Sequence, residues 1–312
     1  MLYFTVSRSA RVSPGTVCDS RSSGTVADYC KGVGTNMTSL VTLACILCAC
    51  VLVRSEVTVI DLTHTLGPRS EGYPGNPKLN FTNIRRGEGY LGIWQEMNWF
   101  SVAEHIGTHF DAPRHFCVDA WKAHEIPIQR LVGPAVVINL TAEAASNIDF
   151  GVTNETLIAW ENDNVPIPDK AFLFFEFGWA RRYPNWHRMF NPRQRGRVQE
   201  IHYPGLAHSA VEWLVANRNV HAVGVDTPSP DLGVSKTFIV HRMLCENEVV
   251  ILENVANLDQ MPPYGAMAYG GAVKLRDGSG GPVRLFATVD NSAGVFSFSA
   301  VLLTLIICFH LA

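Results

Sequence analysis

His105-Ile-Gly-Thr-His109-Phe-Asp111-Ala-Pro-Arg-His115-Phe is the stretch that most constrains the fold and chemistry of this chain. Three of the 11 histidines and one carboxylate lie within it. Imidazole nitrogens and carboxylate oxygens together form the usual ligand set of a catalytic divalent metal. The glycine and the proline disfavour a helix, so we expect a tight loop that presents His105, His109 and Asp111 to one metal. Ordinary surface or core histidines with a capping aspartate are the alternative.

His115 lies beyond the proline of this stretch and is a candidate catalytic base. A water that attacks a substrate must lose a proton, and imidazole titrates in the range where it can accept one. The proline allows His115 to face the same cavity from another direction. A structural histidine is the alternative interpretation.

Two residues of the second half, His241 and Glu253, are candidates to complete the site. Glu253 ends the apolar run that begins at Val249. An ionised carboxylate there needs a partner, because burying it unpaired is costly. A metal is one such partner, and Arg276 or Arg284 is another. The stretch 224–231 follows a predicted strand and is expected either to line the site or to form an ordinary proline-rich turn.

Residues 56–290 are expected to form one domain, because no long linker or repeat interrupts them. A content of 47% hydrophobic residues is enough for a large core. Two segments are predicted to be helical, Ala207–Asn217 and Thr153–Glu161, with Thr153 as an N-cap. Short apolar runs predict buried strands at Val57–Leu62, Ala135–Leu140, Ala171–Phe177, Ala222–Asp226, Val249–Glu253 and Val283–Val289. The predicted fold class is α/β, with more strand than helix.

Net charge and cysteine content argue against a nucleic-acid-binding protein and against a disulfide-rich protein. The formal net charge of -3 gives no indication of a nucleic-acid partner. A cluster of arginines between Arg181 and Arg197 is interrupted by Gly, Pro and Asn, which favours an exposed loop, with anion binding as the alternative. Only Cys117 and Cys245 of the eight cysteines fall within 56–290, which excludes a disulfide scaffold. These two are expected to be packing residues, although they could pair.

The N-terminal segment differs from the middle of the chain. Residues 1–36 are polar and lack apolar periodicity, so they are expected to be an unstructured or wrongly assigned extension. Residues 37–55 contain the apolar run Leu40–Val53, which is short for a membrane span and is typical of a signal peptide. Met37 is then the initiator. An uncleaved signal anchor is the alternative.

The C-terminal residues 291–312 end in an apolar tail, Ala300–Ala312, preceded by small residues. This pattern resembles a GPI-attachment signal, with a transmembrane helix or a buried terminal helix as alternatives. Three Asn-x-Thr sequons begin at Asn80, Asn139 and Asn154. Together with the N-terminal run they predict the secretory pathway. We therefore expect an extracellular or cell-surface protein, held to the membrane through its C-terminal tail.

The ordered set of motifs resembles one known family. His105-x-Gly-Thr-His109-x-Asp111-x-Pro-x-His115-Phe is similar to the signature of the cyclase-like metal-dependent hydrolases, which include bacterial kynurenine formamidase and isatin hydrolase. Further segments fit in order: Asp61-Leu-Thr-His-Thr-Leu, Tyr73-Pro-Gly-Asn-Pro, Phe177-Gly-Trp, Tyr203-Pro-Gly-Leu-Ala, Val223-Gly-Val-Asp226-Thr-Pro-Ser-x-Asp231, and His241 to Val249-Val-Ile-Leu-Glu253-Asn. The resemblance covers roughly 57–289.

The resemblance implies a site and a fold. His105, His109 and Asp111 would ligate metal, and His241 and Glu253 would complete a site for one or two ions, with Zn²⁺ expected first and Mn²⁺ as the alternative. His115 would be the catalytic base. The implied fold is a swivelling β/β/α single domain with a mixed, barrel-like sheet and flanking helices. Family members form homo-oligomers, so a dimer or tetramer is expected.

The resemblance also implies the activity, hydrolysis of a non-peptide C–N bond in a small aromatic amide. An arylformamidase that converts N-formylkynurenine to kynurenine and formate, a step of tryptophan catabolism, is the first expectation. A cyclic-amide hydrolase of the isatin type is the second, and a surface-anchored, inactive binding module is the third. Four aromatic residues near the motifs could stack on the substrate or could belong to the core: Trp94, Trp99, Phe116 and Trp179.

Overall fold

The computed structural model describes residues 56–192 and 200–290. The strands are β1 Val57–Asp61, β2 Asn80–Glu88, β3 Trp94–Ser101, β4 His109–Asp111, β5 Val132–Asn139, β6 Gly151–Val152, β7 Ala171–Glu176, β8 Gly205–Leu206, β9 Val220–Val225, β10 Val250–Glu253, β11 Ala266–Ala272 and β12 Gly280–Asp290. The helices are α1 Thr141–Ser146, α2 Asn154–Asp163, α3 Trp186–Phe190, α4 His208–Asn217 and α5 Ile239–Glu246. Short 3₁₀ helices lie at Pro113–His115, Ile128–Leu131, Ala180–Arg182 and Leu258–Gln260.

Seven strands close into a barrel in the order β12-β11-β5-β7-β9-β10-β4, and β4 returns to pair with β12. The pairings among β5, β7, β9 and β10 are parallel. The pairings that involve β4, β11 and β12 are antiparallel. Strand β1 pairs with the C-terminal part of β12. The predicted α/β class with a mixed, barrel-like sheet and flanking helices is therefore confirmed.

The parallel strands are buried on both faces. One set of alternating side chains, including Phe172 and Phe174 of β7, fills the barrel. The other set, including Leu173 and Phe175, packs in a second core together with Leu214 of α4. A strand buried on both faces needs an apolar residue at every position. This is why these strands are visible in the sequence as continuous apolar runs.

The six predicted strands and two predicted helices are all present, with small differences at their ends. Thr153 is the N-cap of α2 and forms a capping box with Thr156. Among the elements that the sequence did not reveal are the hairpin β2–β3, the three-residue strand β4 and helix α5. β4 and α5 are too short to show a clear period, because a hydrophobic pattern needs a window of several turns or alternations.

Several predictions concern residues outside the described ranges, namely the extension 1–36, the signal peptide 37–55, the tail 291–312, and Arg193, Arg195 and Arg197. They stay predictions. Within the described ranges, no helix combines the length and the apolar character needed to cross a bilayer. Cys117 and Cys245 are free thiols. Burial raises the pKa of Cys245 to about 12, which fits a packing role.

Gly205 of β8 has no room for a side chain. An added Cβ would lie 2.7 Å from the carbonyl oxygens of Pro230 and Asp231, and these backbone atoms cannot rotate away. We expect Gly205→Ala to lower the free energy of unfolding by about 1–3 kcal/mol, the usual cost of overpacking. Urea unfolding of the full-length protein measures this change. Gly67→Ala is the matched control, because a Cβ there meets nothing within 4 Å; equal stability of the two variants would contradict the prediction.

Candidate metal centre

Strand β4 places His109 and Asp111 on one face of the barrel wall, because residues two apart in a strand share a face. Phe110 between them points into the barrel core and is fully buried. The expectation of a tight loop is therefore wrong for His109 and Asp111, which lie in a strand, and holds only for His105. β4 is hydrogen-bonded to β10 on one edge and to β12 on the other. The antiparallel register sets Glu253 of β10 directly opposite His109.

Helix α5 contributes the remaining part of the site. His241 lies in its first turn and is buried. Its Nε2 is 3.3 Å from Oδ2 of Asp111 and 3.1 Å from Oε1 of Glu253. His109 Nε2 lies 3.4 Å from Asp111 Oδ1 and 3.3 Å from Glu253 Oε2. Helix α5 and the strands β4 and β10 thus converge on one point.

All five predicted ligands form one cluster. His105 Nδ1 lies 2.7 Å from Oδ1 of Asp111. Donor atoms within 4.8 Å of one another define two sets, His105–His109–Asp111 and Asp111–His241–Glu253. Asp111 is common to both sets, so it is placed to bridge two ions or to complete the site of one.

Each imidazole is oriented by a contact on the side away from the cluster. Nδ1 of His109 lies 2.9 Å from the carbonyl oxygen of Gly107, and Nδ1 of His241 lies 2.6 Å from Oδ2 of Asp231. Both oxygens only accept, so these nitrogens donate, and Nε2 is the nitrogen that each ring presents to the cluster. Gly107 adopts a left-handed φ of 61°, which favours glycine.

His105 is oriented through its Nε2, by a chain of two hydrogen bonds. Its Nε2 lies 2.9 Å from Oγ of Ser279, and that hydroxyl donates to Glu104 at 2.6 Å. The hydroxyl therefore accepts from Nε2, and Nδ1 is the ring nitrogen of His105 that faces Asp111. Outer contacts of this kind hold histidine ligands in the tautomer that a metal requires.

The buried carboxylates of the cluster favour a positive charge among them. Asp111 is 1% exposed and Glu253 is 5% exposed. Burial alone would lower the pKa of His109, but the close carboxylates of Asp111 and Glu253 outweigh it and raise that pKa to about 10. The pKa of His241 is also raised, because contacts with Asp111, Asp231 and Glu253 outweigh its burial. The buried carboxylates thus stabilise any cation placed among them.

Two buried atoms of the cluster lack a hydrogen-bond partner within the described residues, Nε2 of His109 and Oδ2 of Asp111. Orphaned polar atoms are rare in protein interiors and need an explanation. Both face the shared space between the five donors. A mixed set of imidazole and carboxylate donors around orphaned atoms fits a divalent cation of the Zn²⁺ or Mn²⁺ type.

His115 lies against this cluster without joining either donor set. Its ring stacks on His105 with centroids 3.9 Å apart and lies 6.1 Å from the ring of His241. Burial is the main cause that lowers its pKa to about 4, with His105 and His241 adding to the effect. A neutral imidazole at this position can accept a proton, and the role of His115 as catalytic base stays a prediction.

Aromatic side chains line one side of the cluster. The ring of Phe116 lies 4.5 Å from that of His241, and Phe238 lies 5.5 Å from Phe116. Tyr73 contacts Phe238 at 6.0 Å. Burial, followed by the charge of Glu253, raises the pKa of Tyr73. We call Tyr73, Phe116 and Phe238 the aromatic wall.

Only one of the four aromatic candidates from the sequence belongs to this wall. Phe116 does, whereas Trp179 is buried and donates to the carbonyl of Met189 at 2.8 Å. Trp94 and Trp99 are exposed on the hairpin β2–β3. Spacing along the chain does not reveal which aromatic residues reach a site, because that depends on how separate elements pack together.

Sequence reasoning missed the residues that orient the ligands. Asp231 was considered only as part of a lining stretch, and Ser279 and Glu104 were not considered. The run Gly278-Ser-Gly-Gly281 at the start of β12 was an available signal, since glycines in a strand mark close approach of other atoms. The alternative of an arginine partner for Glu253 is wrong for Arg284, which pairs with Asp61 at 2.7 Å.

Asp231 is a positioning residue for His241, and its removal tests the cluster. Its oxygens also accept from the backbone N–H groups of Val240 and His241 at 3.0 and 3.1 Å. We expect Asp231→Asn to weaken divalent-metal binding about 10–100-fold, the usual effect of losing an outer contact. Titration of the metal-free protein with Zn²⁺ measures it.

The matched control for this prediction is Asp149→Asn. Asp149 makes a similar contact to His202, at 2.8 Å, but His202 belongs to neither donor set. Equal metal affinity in the two variants would show that the Asp231 contact does not orient a ligand.

Comparison with known proteins agrees with this geometry. The model of the family described as putative cyclase matches residues 60–232. An isatin hydrolase from Roseibium aggregatum is 29% identical over 259 residues, which cover 77% of this chain and 95% of that protein. A kynurenine formamidase from Erythrobacter litoralis is 26% identical over 243 residues, 77% of this chain and 98% of that protein.

A solved structure, isatin hydrolase A from Ralstonia solanacearum, superposes with a TM-score of 0.70 at 33% identity, covering 83% of this chain and all of that one. The family match spans more than half of the 312 residues. The chain belongs to the cyclase family of metal-dependent hydrolases.

Proposed function

We propose that this protein opens the C–N bond of a small aromatic amide, with a cyclic amide of the isatin type as its first candidate substrate. The observation that carries the proposal is the shared carboxylate: Asp111 belongs to two donor sets, and the neutral His115 stacks directly beside them. An inactive binding module of this fold would be expected to lack part of this machinery. Here all six candidate residues are present and lie together.

Different residues of the chain have different roles in the hydrolysis. The five donors would hold a divalent cation, and that cation would supply Lewis acidity to an amide carbonyl and to the attacking water. The imidazole of His115 takes the proton from that water and returns it to the amide nitrogen as the C–N bond breaks. A cyclic amide then yields an amine and a carboxylate in one molecule, whereas a formamide releases formate.

The aromatic wall supports an aryl substrate. Offset or edge-on contacts with an aryl ring are worth about 0.5–1.5 kcal/mol each beyond the burial of area. Phe238 adopts a left-handed φ of 49° immediately before α5. Such backbone costs about 1–3 kcal/mol for a non-glycine residue and is concentrated at functional sites. The strain supports the view that the ring of Phe238 is held in place for a ligand.

The ranking of the two candidate substrates, isatin and N-formylkynurenine, is the reverse of the one expected from the sequence. The isatin hydrolase reported above matches this chain at higher identity and over more residues than the kynurenine formamidase. N-formylkynurenine remains the second candidate, because the formamidase match spans 98% of that relative. We propose Zn²⁺ as the first resident ion, since three donors are imidazoles, with Mn²⁺ as the alternative because two donors are carboxylates.

Turnover of isatin and of N-formylkynurenine by the metal-loaded, full-length protein tests the substrate. We expect kcat/KM for isatin to be at least about tenfold higher, equivalent to about 1.4 kcal/mol of transition-state stabilisation. The reverse ratio would favour the arylformamidase. Failure on both substrates by protein that holds its metal would contradict the proposed amide hydrolysis.

The role of His115 is tested by His115→Asn. We expect kcat to fall about 10²–10⁴-fold, the usual contribution of a general base, while bound metal stays unchanged because His115 is not a donor. Kinetics and metal analysis on the same sample measure both quantities. His208→Asn is the control, because His208 is exposed on α4. Loss of metal together with activity would instead assign His115 a ligand role.

A further inference from the structure

A cavity outside the metal centre lies at the C-terminal end of β7. Its volume is about 470 Å³, which is within the range of small-molecule sites. Its lining comes from α1, from the turn that follows β7 and from α3. None of the residues that line it is a metal donor or belongs to the aromatic wall. We call it the arginine cavity, after Arg181, Arg182 and Arg188, which border it.

The lining of the arginine cavity is cationic. Three guanidinium groups and the imidazole of His187 border it, and within the described part of the chain no carboxylate does. The three arginines also lack an ion pair with any described carboxylate. The arginines that do form ion pairs among the described residues are Arg86, Arg218 and Arg284. The positive charge of the cavity is therefore not neutralised by a contact within it.

Two carboxyl groups close to these arginines are engaged in other contacts. Asp226 accepts from three backbone N–H groups of the turn after β7, and Glu176 accepts from the side chain of Asn139 at 2.7 Å. Both line a neighbouring cavity, which Arg181 also borders. Burial is the main cause that raises the pKa of Asp226 to about 7, so this group is only partly ionised at neutral pH. These carboxyl groups leave much of the positive charge uncompensated.

Two of the three guanidinium groups are held in place by the protein. The guanidinium carbon of Arg182 lies 3.4 Å from the centre of the Trp179 ring, and its Nη1 donates to the backbone carbonyl of Arg188 at 3.1 Å. Nε of Arg181 donates to the backbone carbonyl of Gly178 at 3.0 Å. A guanidinium has more N–H donors than these contacts use. The remaining donors are available to a ligand, and their positions are fixed before it binds.

The grouping of the arginines has an electrostatic cost. Burial lowers the pKa of Arg182, and the charges of Arg188 and Arg181 add to this effect. The charge of Asp226 acts in the opposite direction. Like charges held close together disfavour their charged forms, and arginines that only face solvent gain nothing from such an arrangement. An anion in the cavity would offset the repulsion.

The number of donor groups favours a tetrahedral dianion. A guanidinium forks onto two oxygens of a carboxylate or a phosphate, so one arginine is enough for a carboxylate. A phosphate ester carries a charge of about −1.5 to −2 at pH 7 and offers three acceptor oxygens, which suits three guanidinium groups. The cavity volume of about 470 Å³ is that of roughly fifteen water molecules at about 30 Å³ each. There is room for an organic group beside the phosphate.

We propose that the arginine cavity binds the phosphate group of a small organic phosphomonoester. The phosphate oxygens accept from Arg181, Arg182 and Arg188, and the organic group occupies the remaining volume. The ligand is bound outside the metal centre, because no metal donor lines the cavity. It is therefore a second ligand of the protein and not its hydrolytic substrate. The proposal does not depend on the proposed function.

Calorimetric titration of the metal-loaded, full-length protein with phenyl phosphate tests the proposal. We expect Arg181→Gln/Arg188→Gln to raise Kd at least about tenfold, because it removes charge-assisted hydrogen bonds. Both residues are exposed, so the substitutions leave the core intact. Arg69→Gln/Arg276→Gln is the matched control, since it removes two exposed arginines outside the cavity, and its Kd should equal that of the wild type. The same Kd in both double variants, as phenyl phosphate bound to the metal would give, would overturn the proposal.

A second measurement uses the wild-type protein alone and does not depend on how the variants fold. Phenyl sulfate and benzoate resemble phenyl phosphate in size but carry a single negative charge. We expect both to bind at least about tenfold more weakly than phenyl phosphate, because a single charge interacts less strongly with three guanidinium groups. Equal affinity for either monoanion would contradict the assignment of a dianion site. So would the absence of phenyl phosphate binding at millimolar concentration.

Discussion

The buried carboxylate of Asp111 is the constraint on which the rest of the site depends. A carboxylate in a protein interior needs donors or positive charge around it. Three imidazoles meet it, one from the preceding loop, one from its own strand and one from helix α5. The hydrogen bonds to these rings hold the pKa of Asp111 well below its usual range, although burial acts in the opposite direction. The arrangement that stabilises this charge also presents the donor atoms to a cation.

The closed barrel is what brings these groups together. Strand β4 is three residues long, and its register is fixed by pairing on both edges and by Phe110 in the barrel core. A shift of one residue would turn His109 and Asp111 into the apolar interior, because side chains alternate between the two faces. The core and the metal centre therefore stabilise each other through one short strand. The hairpin β2–β3 is the opposite case, since it has apolar faces that no core among the described residues covers.

Much of the fold could be predicted from the sequence because its signals are local. A strand buried on both faces is a continuous apolar run, as in β7, and a capping threonine marks the start of α2. The metal-ligand residue types of the first motif, histidine and aspartate, were equally easy to recognise in the sequence. His241 had no such signal: it lies in an eight-residue helix that begins after a left-handed phenylalanine. It was one of two candidates from the second half of the chain, the resemblance to a family strengthened the assignment, and the structure places it 3.3 Å from Asp111.

The sequence by itself determined the fold class, the main strands and the chemical character of the site, because donor atoms and hydrophobic periodicity are properties of neighbouring residues. The tertiary structure alone decided that Glu253 faces His109. It also decided that Asp231 and Ser279 orient the ligands. Finally, it placed Trp94 and Trp99 on the exposed hairpin β2–β3, and Phe116 beside the cluster. These relations join residues that are far apart in the chain. A polar or aromatic residue has the same local pattern whether it faces solvent, a ring nitrogen or another aromatic ring.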